Sequence, residues 1–176
     1  MRKIAKKFSI AFNSLLETFF MSLPNAFTKF RVFYLRKKGF NISEKCSIAR
    51  NVYVQGKITI GQGTAIANNC LFNGSNTGIT IGEDVMIAPN CVFVAFNHGY
   101  SLTSISMIKQ EWEEEEVVIE DDVWVGANCT IGKGVQLGKG CIVGANSFVN
   151  KSFEPYSIIG GVPARLIGTR QKSSKE

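Results

Sequence analysis

From Ile119 onward an aliphatic residue returns at every sixth position: Ile119, Val125, Ile131, Leu137, Val143 and Val149 head the units of "IEDDVW VGANCT IGKGVQ LGKGCI VGANSF". Shorter runs on the same spacing stand at Ile60, Ile66 and Phe72, and at Ile81, Ile87 and Phe93. A helical period of 3.6 or a strand period of 2 does not produce a strict six, so the pattern is an internal repeat. Each unit reads as a short strand followed by a turn. Gly often follows the aliphatic head, at 61, 82, 126, 132, 138 and 144, and the fifth place is small, as at Thr64, Val85, Val123, Val135 and Ser147. The pattern predicts a repeating corner, with an inward aliphatic residue and a small neighbour beside it.

The repeat breaks twice. Ile60 to Ile81 spans 21 residues, which predicts a small bulge around "FNGSNTG". Ile81 to Ile119 spans 38 residues, which predicts an inserted loop, "GYSLTSISMIKQEWEEEE", over residues 99–116. Solenoids carry such insertions on one face, often the binding face. The acidic end of the loop, Glu111 and Glu113 to Glu116, reads as a solvated charged segment.

Before the repeat, Ile4, Phe8, Ala11, Phe12, Leu15, Phe19 and Leu23 fall on one face of a helix that stops near Pro24. A second helical stretch, "NAFTKFRVFYLRKK", ends at Gly39. The organisation is therefore a helical segment (1–40), a repeat domain (41–168) and a polar tail (169–176). Solenoids need their open ends covered, so one reading of the helices is a cap. The net charge of +6 suggests another, because residues 1–40 hold nine Lys and Arg against Glu17 alone. Cationic, Phe-rich helices also suit peripheral contact with an anionic membrane. The cations alternate with apolar residues, unlike a nucleic-acid-binding basic arm, and no nucleic acid is expected. No apolar run approaches the roughly 20 residues that cross a bilayer, and no signal peptide is evident, which predicts a cytoplasmic protein.

All five cysteines, Cys46, Cys70, Cys91, Cys129 and Cys141, occupy the fifth place of a unit. Spread so regularly, they form neither a C-x-x-C pair nor a metal cluster, and they read as small buried residues.

With this repeat the sequence resembles the hexapeptide-repeat acyltransferases, and among them the sugar and polysaccharide O-acetyltransferases. The resemblance covers roughly residues 40–168 and implies an all-β solenoid, a left-handed parallel β-helix of about five coils with three units in each. It further implies acetyl-CoA as cosubstrate, no metal, and a homotrimer with active sites between subunits. Residues about 18 apart would then stack on one face, Gly126-Ala127 over Gly144-Ala145 and Lys133 over Lys151.

Acyl transfer from a thioester to a hydroxyl needs a base for the acceptor's proton and a donor for the oxyanion. The only histidine, His98 in "AFNHGYS", stands where the inserted loop leaves the repeat. That is also where the family's catalytic histidine sits, although Gly99 follows where many of its sugar acetyltransferases carry proline. By resemblance, "DDVWVGANC" makes Trp124 a pocket residue packed by the histidine, and the Ala127 N–H an oxyanion donor. Ala127, Ala145, Asn150, Lys151 and Arg165 match places along the family's CoA groove, with Lys133 and Arg170 as further cations. For the sugar or glycan acceptor, Asn68, Asn76 and Asn97 are the expected contacts, since amides both donate to and accept from hydroxyls.

The function expected is acetylation of a sugar hydroxyl by direct attack in a ternary complex, most naturally in bacterial surface-polysaccharide synthesis. Acetylation of an antibiotic or of serine is a second enzyme reading. A zinc-dependent carbonic anhydrase on the same fold would need three histidine ligands, and the chain has one. A non-catalytic binding or assembly module is the alternative from a different class.

Overall fold

The computed structural model describes residues 2–170, with side chains from residue 12 onward. Helix α1 (Arg2–Ser22) and helix α2 (Thr28–Lys37) precede a parallel β-solenoid with three faces. The first face stacks Asn41–Ile42, Ile58–Ile60, Ile79–Ile81, Val117–Ile119 and Gln136–Leu137. The second stacks Ser47–Ile48, Ala65–Ile66, Met86–Ile87, Trp124–Val125, Ile142–Val143 and Ser157–Gly161. The third stacks Tyr53–Gln55, Leu71–Asn73, Val92–Val94, Thr130–Ile131 and Phe148–Val149. Five coils are complete and a sixth begins. Ala164–Thr169 then turns back antiparallel on Ser157–Gly161 and closes the second face.

The six-residue heads form the interior. Ile60, Ile81, Ile119 and Leu137 lie in register on the first face, and Phe72, Phe93, Ile131 and Val149 on the third. All eight are buried, and the Phe72 and Phe93 rings stack 4.8 Å apart. Complete burial of such a side chain contributes roughly 1.5–3 kcal/mol, repeated at every level of the stack. The fifth-place residues are buried too, and all five cysteines are free thiols. The adjacent Cys91 thiol and then burial push the Cys129 thiol well above the ordinary cysteine range, far from nucleophile chemistry.

The corner is made differently from what the glycine pattern suggests. The left-handed residue is the fourth of each unit, as at Asn51, Asn69, Asn90, Asn128 and Asn146, whose φ values lie between 59° and 63°. Asparagine accepts this conformation because its side chain bonds locally or to neighbours. Here these amides hydrogen-bond coil to coil, with separations of 3.0–3.3 Å, as a ladder along one corner. The glycine after the head answers to space instead. A Cβ on Gly126 would stand 2.6 Å from the Ala145 nitrogen of the next coil.

The two N-terminal helices meet the solenoid differently. Helix α2 is the cap: Val32 and Leu35 join the core, and the Thr28 hydroxyl donates to the Ile48 carbonyl and accepts from its N–H. The edge strand that a solenoid must cover is thereby paired. Helix α1 packs through Met21 and through Phe20, which stacks on Tyr34 at 4.6 Å. The apolar stripe expected to face the body points away from it, because Phe12, Leu15 and Phe19 are exposed. The side chains of Ile4, Phe8 and Ala11 lie outside the described residues, as does the tail beyond Arg170.

Candidate active site

The inserted segment leaves the third face after Ala95 and forms a hairpin, earlier than the expected start at 99. Phe96–His98 pairs antiparallel with Trp112–Glu114, which sets His98 opposite Trp112. The imidazole is exposed, and its ring meets the Trp112 ring edge-on at 5.2 Å; Phe96 stacks on the other part of Trp112 at 4.7 Å. Two aromatic rings thus hold one side of the histidine and leave the other to solvent. Gly99 explains its own presence: its N–H donates to the Glu111 carbonyl at 3.0 Å, and a Cβ would stand 2.6 Å from that oxygen. Proline could not make this bond.

The acidic run is largely exposed, as a solvated segment would be, and it also fastens the hairpin to the body. Glu114 accepts from the Ser75 hydroxyl and, at 3.0 Å from both oxygens, from the Asn76 amide. These hydrogen bonds, Ser75 first and Asn76 next, hold the Glu114 carboxyl below its ordinary range. Ser75 and Asn76 belong to the bulge predicted at "FNGSNTG", where Ser75 and Gly78 have positive φ. Glu113 lies 3.4 Å from Lys133, and Glu116 accepts from the Thr80 hydroxyl at 2.7 Å. One break in the repeat therefore anchors the other. The Asn76 amide, expected on a sugar, is committed to Glu114.

The remaining site residues are spread over two edges of the third face, the second face and the terminal hairpin. On the edge toward the first face, Asn97 shares a groove of about 480 Å³ with Asn150, Lys151, Lys133, Phe148 and Glu115. On the edge toward the second face, Ala127 stands at the corner that Ala145 repeats one coil on, since Val125 pairs with Val143. Among the described residues neither alanine N–H donates to a backbone carbonyl. Trp124 and Asn68 line a separate groove of about 550 Å³ on the second face. The ring partners of His98 within the chain are Phe96 and Trp112, and Trp124 is not among them. Of the cations expected for CoA, Lys133 is paired to Glu113, and Arg170 to Asp122 at 2.8 Å. Lys151 lies over the Phe153 ring and Arg165 is exposed on the terminal hairpin, bonded only to the Ala164 carbonyl among the described residues.

Trp112 and Glu114 escape the sequence reading because both sit inside "QEWEEEE", whose charge masks a pairing strand. The usable signal was the aromatic residue interrupting the acidic run. Among the described residues no three His, Cys, Asp or Glu side chains converge as metal ligands.

The solenoid matches known proteins. The model of the bacterial transferase hexapeptide (six repeats) matches residues 116–151. The hexapeptide-repeat-containing acetyltransferase VCA0836 of Vibrio cholerae is 30% identical, with 93% of this chain and 90% of that one covered and a TM-score of 0.72. A second structure of VCA0836 is complexed with acetyl-CoA. A "Probable macrolide acetyltransferase" of Lysinibacillus sphaericus is 48% identical over 34% of this chain and 33% of its own. The "Putative lipopolysaccharide biosynthesis O-acetyl transferase WbbJ" of Escherichia coli K12 is 42% identical over 31% of this chain and 28% of its own. The chain thus spans about a third or less of the length of these two curated relatives. It belongs to the hexapeptide-repeat acetyltransferase family.

Proposed function

We propose that the protein transfers the acetyl group of acetyl-CoA to a hydroxyl of a sugar in bacterial surface-polysaccharide synthesis, with His98 as general base. The observation that carries this reading is the exposed His98 imidazole, held against Trp112 at the root of a hairpin that the acidic run pins to the body. The acceptor hydroxyl gives its proton to the imidazole as its oxygen attacks the thioester carbonyl. The Ala127 N–H receives the developing oxyanion. Collapse breaks the C–S bond, and the imidazolium returns the proton to the CoA thiolate. No acyl-enzyme forms, in keeping with the buried cysteines.

One chain does not complete this site. A single carbonyl must lie within about 3 Å of both the attacking oxygen and the oxyanion donor. His98 and Ala127 stand on opposite edges of the third face, so the hairpin of one copy would serve the Ala127 edge of its neighbour. A closed ring of three copies satisfies this, because each copy gives one edge and receives the other. Lys151 and Arg165 are then the cations left for CoA phosphates.

Purified protein is incubated with acetyl-CoA and a panel of sugars, with free thiol release followed and products identified by mass spectrometry. Sugar-dependent thiol release with a product heavier by one acetyl group is expected. No turnover with any sugar, together with no thermal stabilisation by acetyl-CoA, would leave the non-catalytic module. The macrolide acetyltransferase relative favours a second reading, an antibiotic acceptor; turnover of a macrolide alone would select it.

The N-terminal face adds a location. Phe12, Leu15 and Phe19 of α1, with Phe27, Phe30 and Phe33, are all exposed beside Lys29, Arg36 and Lys37. Among the described residues no helix is long and apolar enough to cross a membrane. Phenylalanines beside lysines and arginines instead suit the surface of an anionic bilayer on the cytoplasmic side. Co-sedimentation with vesicles containing anionic lipid, reduced by Phe12→Ser with Phe19→Ser, is the expected result; equal binding to neutral vesicles, or none, refutes it.

A further inference from the structure

Three of the buried thiols form a column along the corner between the second and third faces. Cys70, Cys91 and Cys129 follow one another coil by coil, because the residues after them, Leu71, Val92 and Thr130, pair in register. Each thiol donates to the second-place carbonyl of the next coil. Cys70 Sγ lies 3.3 Å from the Ala88 oxygen, Cys91 Sγ 3.1 Å from that of Gly126, and Cys129 Sγ 3.1 Å from that of Gly144. For Cys91 the alternative acceptor in its own coil, the Pro89 carbonyl, is 3.8 Å away. Among the described residues no backbone N–H donates to any of the three second-place carbonyls. Cys129 lowers the Cys91 pKa, but Cys70 and burial outweigh it and hold it at about 11, so the thiol keeps the proton it donates.

The peptide unit that accepts from Cys91 is the one whose N–H belongs to Ala127. It is trans, so its C=O and N–H point in opposite directions. With the oxygen turned in to a fully buried thiol, the N–H is turned outward. A hydrogen bond to a peptide oxygen also draws electrons from the nitrogen and strengthens the N–H as a donor. A thiol is a weak donor, and here it recurs with one geometry in three successive coils.

We infer that Cys91 is a positioning residue for acyl transfer: its thiol aims and polarises the Ala127 N–H that receives the oxyanion. The inference rests on the role proposed for that N–H. Cys129 makes the same bond to the Gly144–Ala145 unit, one coil further along the same edge. Cys70 supplies a contrast within the chain, because the unit it holds is Ala88–Pro89, which has no N–H to tune.

Valine and threonine share a shape and differ by one hydroxyl, so this pair separates the hydrogen bond from packing. Both occur naturally at the fifth place. Val52 precedes Cys70 in the same column, and the Thr64 hydroxyl donates to the Gly82 carbonyl of the next coil at 2.8 Å. One oxyanion donor is worth about 10²–10³-fold, and a hydrogen bond at the far end of its peptide changes donor strength by about 10–30%. The kcat of Cys91→Val should therefore lie about two- to eightfold below that of Cys91→Thr, with neither KM differing. Cys91→Ala against Cys91→Ser, which add no bulk, carries the same expectation. Cys70→Val and Cys70→Thr should not differ in kcat. In ¹H–¹⁵N NMR spectra the Ala127 amide proton should lie upfield in Cys91→Val relative to Cys91→Thr. Equal kcat within both Cys91 pairs overturns the inference, as does an equal difference in the Cys70 pair. If kcat is equal and the amide proton has not moved, the thiol does not act on the peptide and Ala127 keeps its role; if the proton has moved, Ala127 is not the oxyanion donor. Absence of sugar-dependent thiol release from the unaltered protein would instead overturn the function.

Discussion

Replacing His98 with alanine is expected to lower turnover by roughly 10² to 10⁴-fold, the usual contribution of a positioned general base. Acetyl-CoA affinity and melting temperature should stay close to those of the unaltered protein, because the side chain is exposed and its contacts are ring edges rather than core packing. The loss should appear in kcat rather than in either KM, since the proton moves only in the transition state. His98→Gln keeps a polar side chain of similar reach without a comparable base, and should be as inactive as the alanine variant. Steady-state kinetics by thiol release, with a melting curve for each variant, decide the matter. An unchanged rate would remove His98 from the chemistry and leave the hairpin as a binding element.

The position of His98 was legible because two strong signals meet there. The six-residue spacing is written by burial: a head residue such as Ile131 or Val149 must be apolar at every turn or the interior is opened to water. A departure from that spacing is therefore visible, and 38 residues between Ile81 and Ile119 announced an insertion. What the insertion does was not legible. Its strand is fixed by Glu114 against Asn76 and by Glu113 against Lys133, contacts between residues far apart in the chain whose types suit solvent equally well. Trp112 could be placed beside His98 only once the hairpin register was known. Trp124 stood out for the opposite reason, because it lies within the perfect repeat; the register puts it on the second face and away from the histidine's rings.

The helices show the same division. Apolar spacing located α1 and α2 correctly, yet it did not say which side meets the body. Phe12, Leu15 and Phe19 make the better stripe, while Met21 makes the contact, because the chain after Pro24 must return α2 across the Ser47–Ile48 edge. That return also buries a charge, which no hydrophobic pattern predicts.

Arg31 is the residue through which the cap should fail. It is fully buried, and its guanidinium donates to the carbonyls of Ile48 at 2.8 Å, Leu23 at 2.7 Å, Pro24 at 3.2 Å and Asn25 at 3.2 Å. No carboxylate is among these partners, and burial alone holds its pKa below the ordinary arginine value. Its stability contribution is thus carbonyl satisfaction at the helix-to-turn junction and at the edge strand. Arg31→Met keeps the aliphatic bulk and removes every donor. The Leu23 carbonyl is left without a partner, at about 1–3 kcal/mol, while the Ile48, Pro24 and Asn25 carbonyls keep the Thr28 hydroxyl, the Phe27 N–H and the Thr28 N–H and each lose one bond, so a net loss of about 3–5 kcal/mol is expected. At 2–4 °C per kcal/mol for a chain of this size, the melting temperature should fall by roughly 6–20 °C. Arg31→Lys restores the charge but reaches fewer carbonyls, and should recover only part of the loss. A Met variant as stable as the original would mean that the cap is held by Val32 and Leu35 alone.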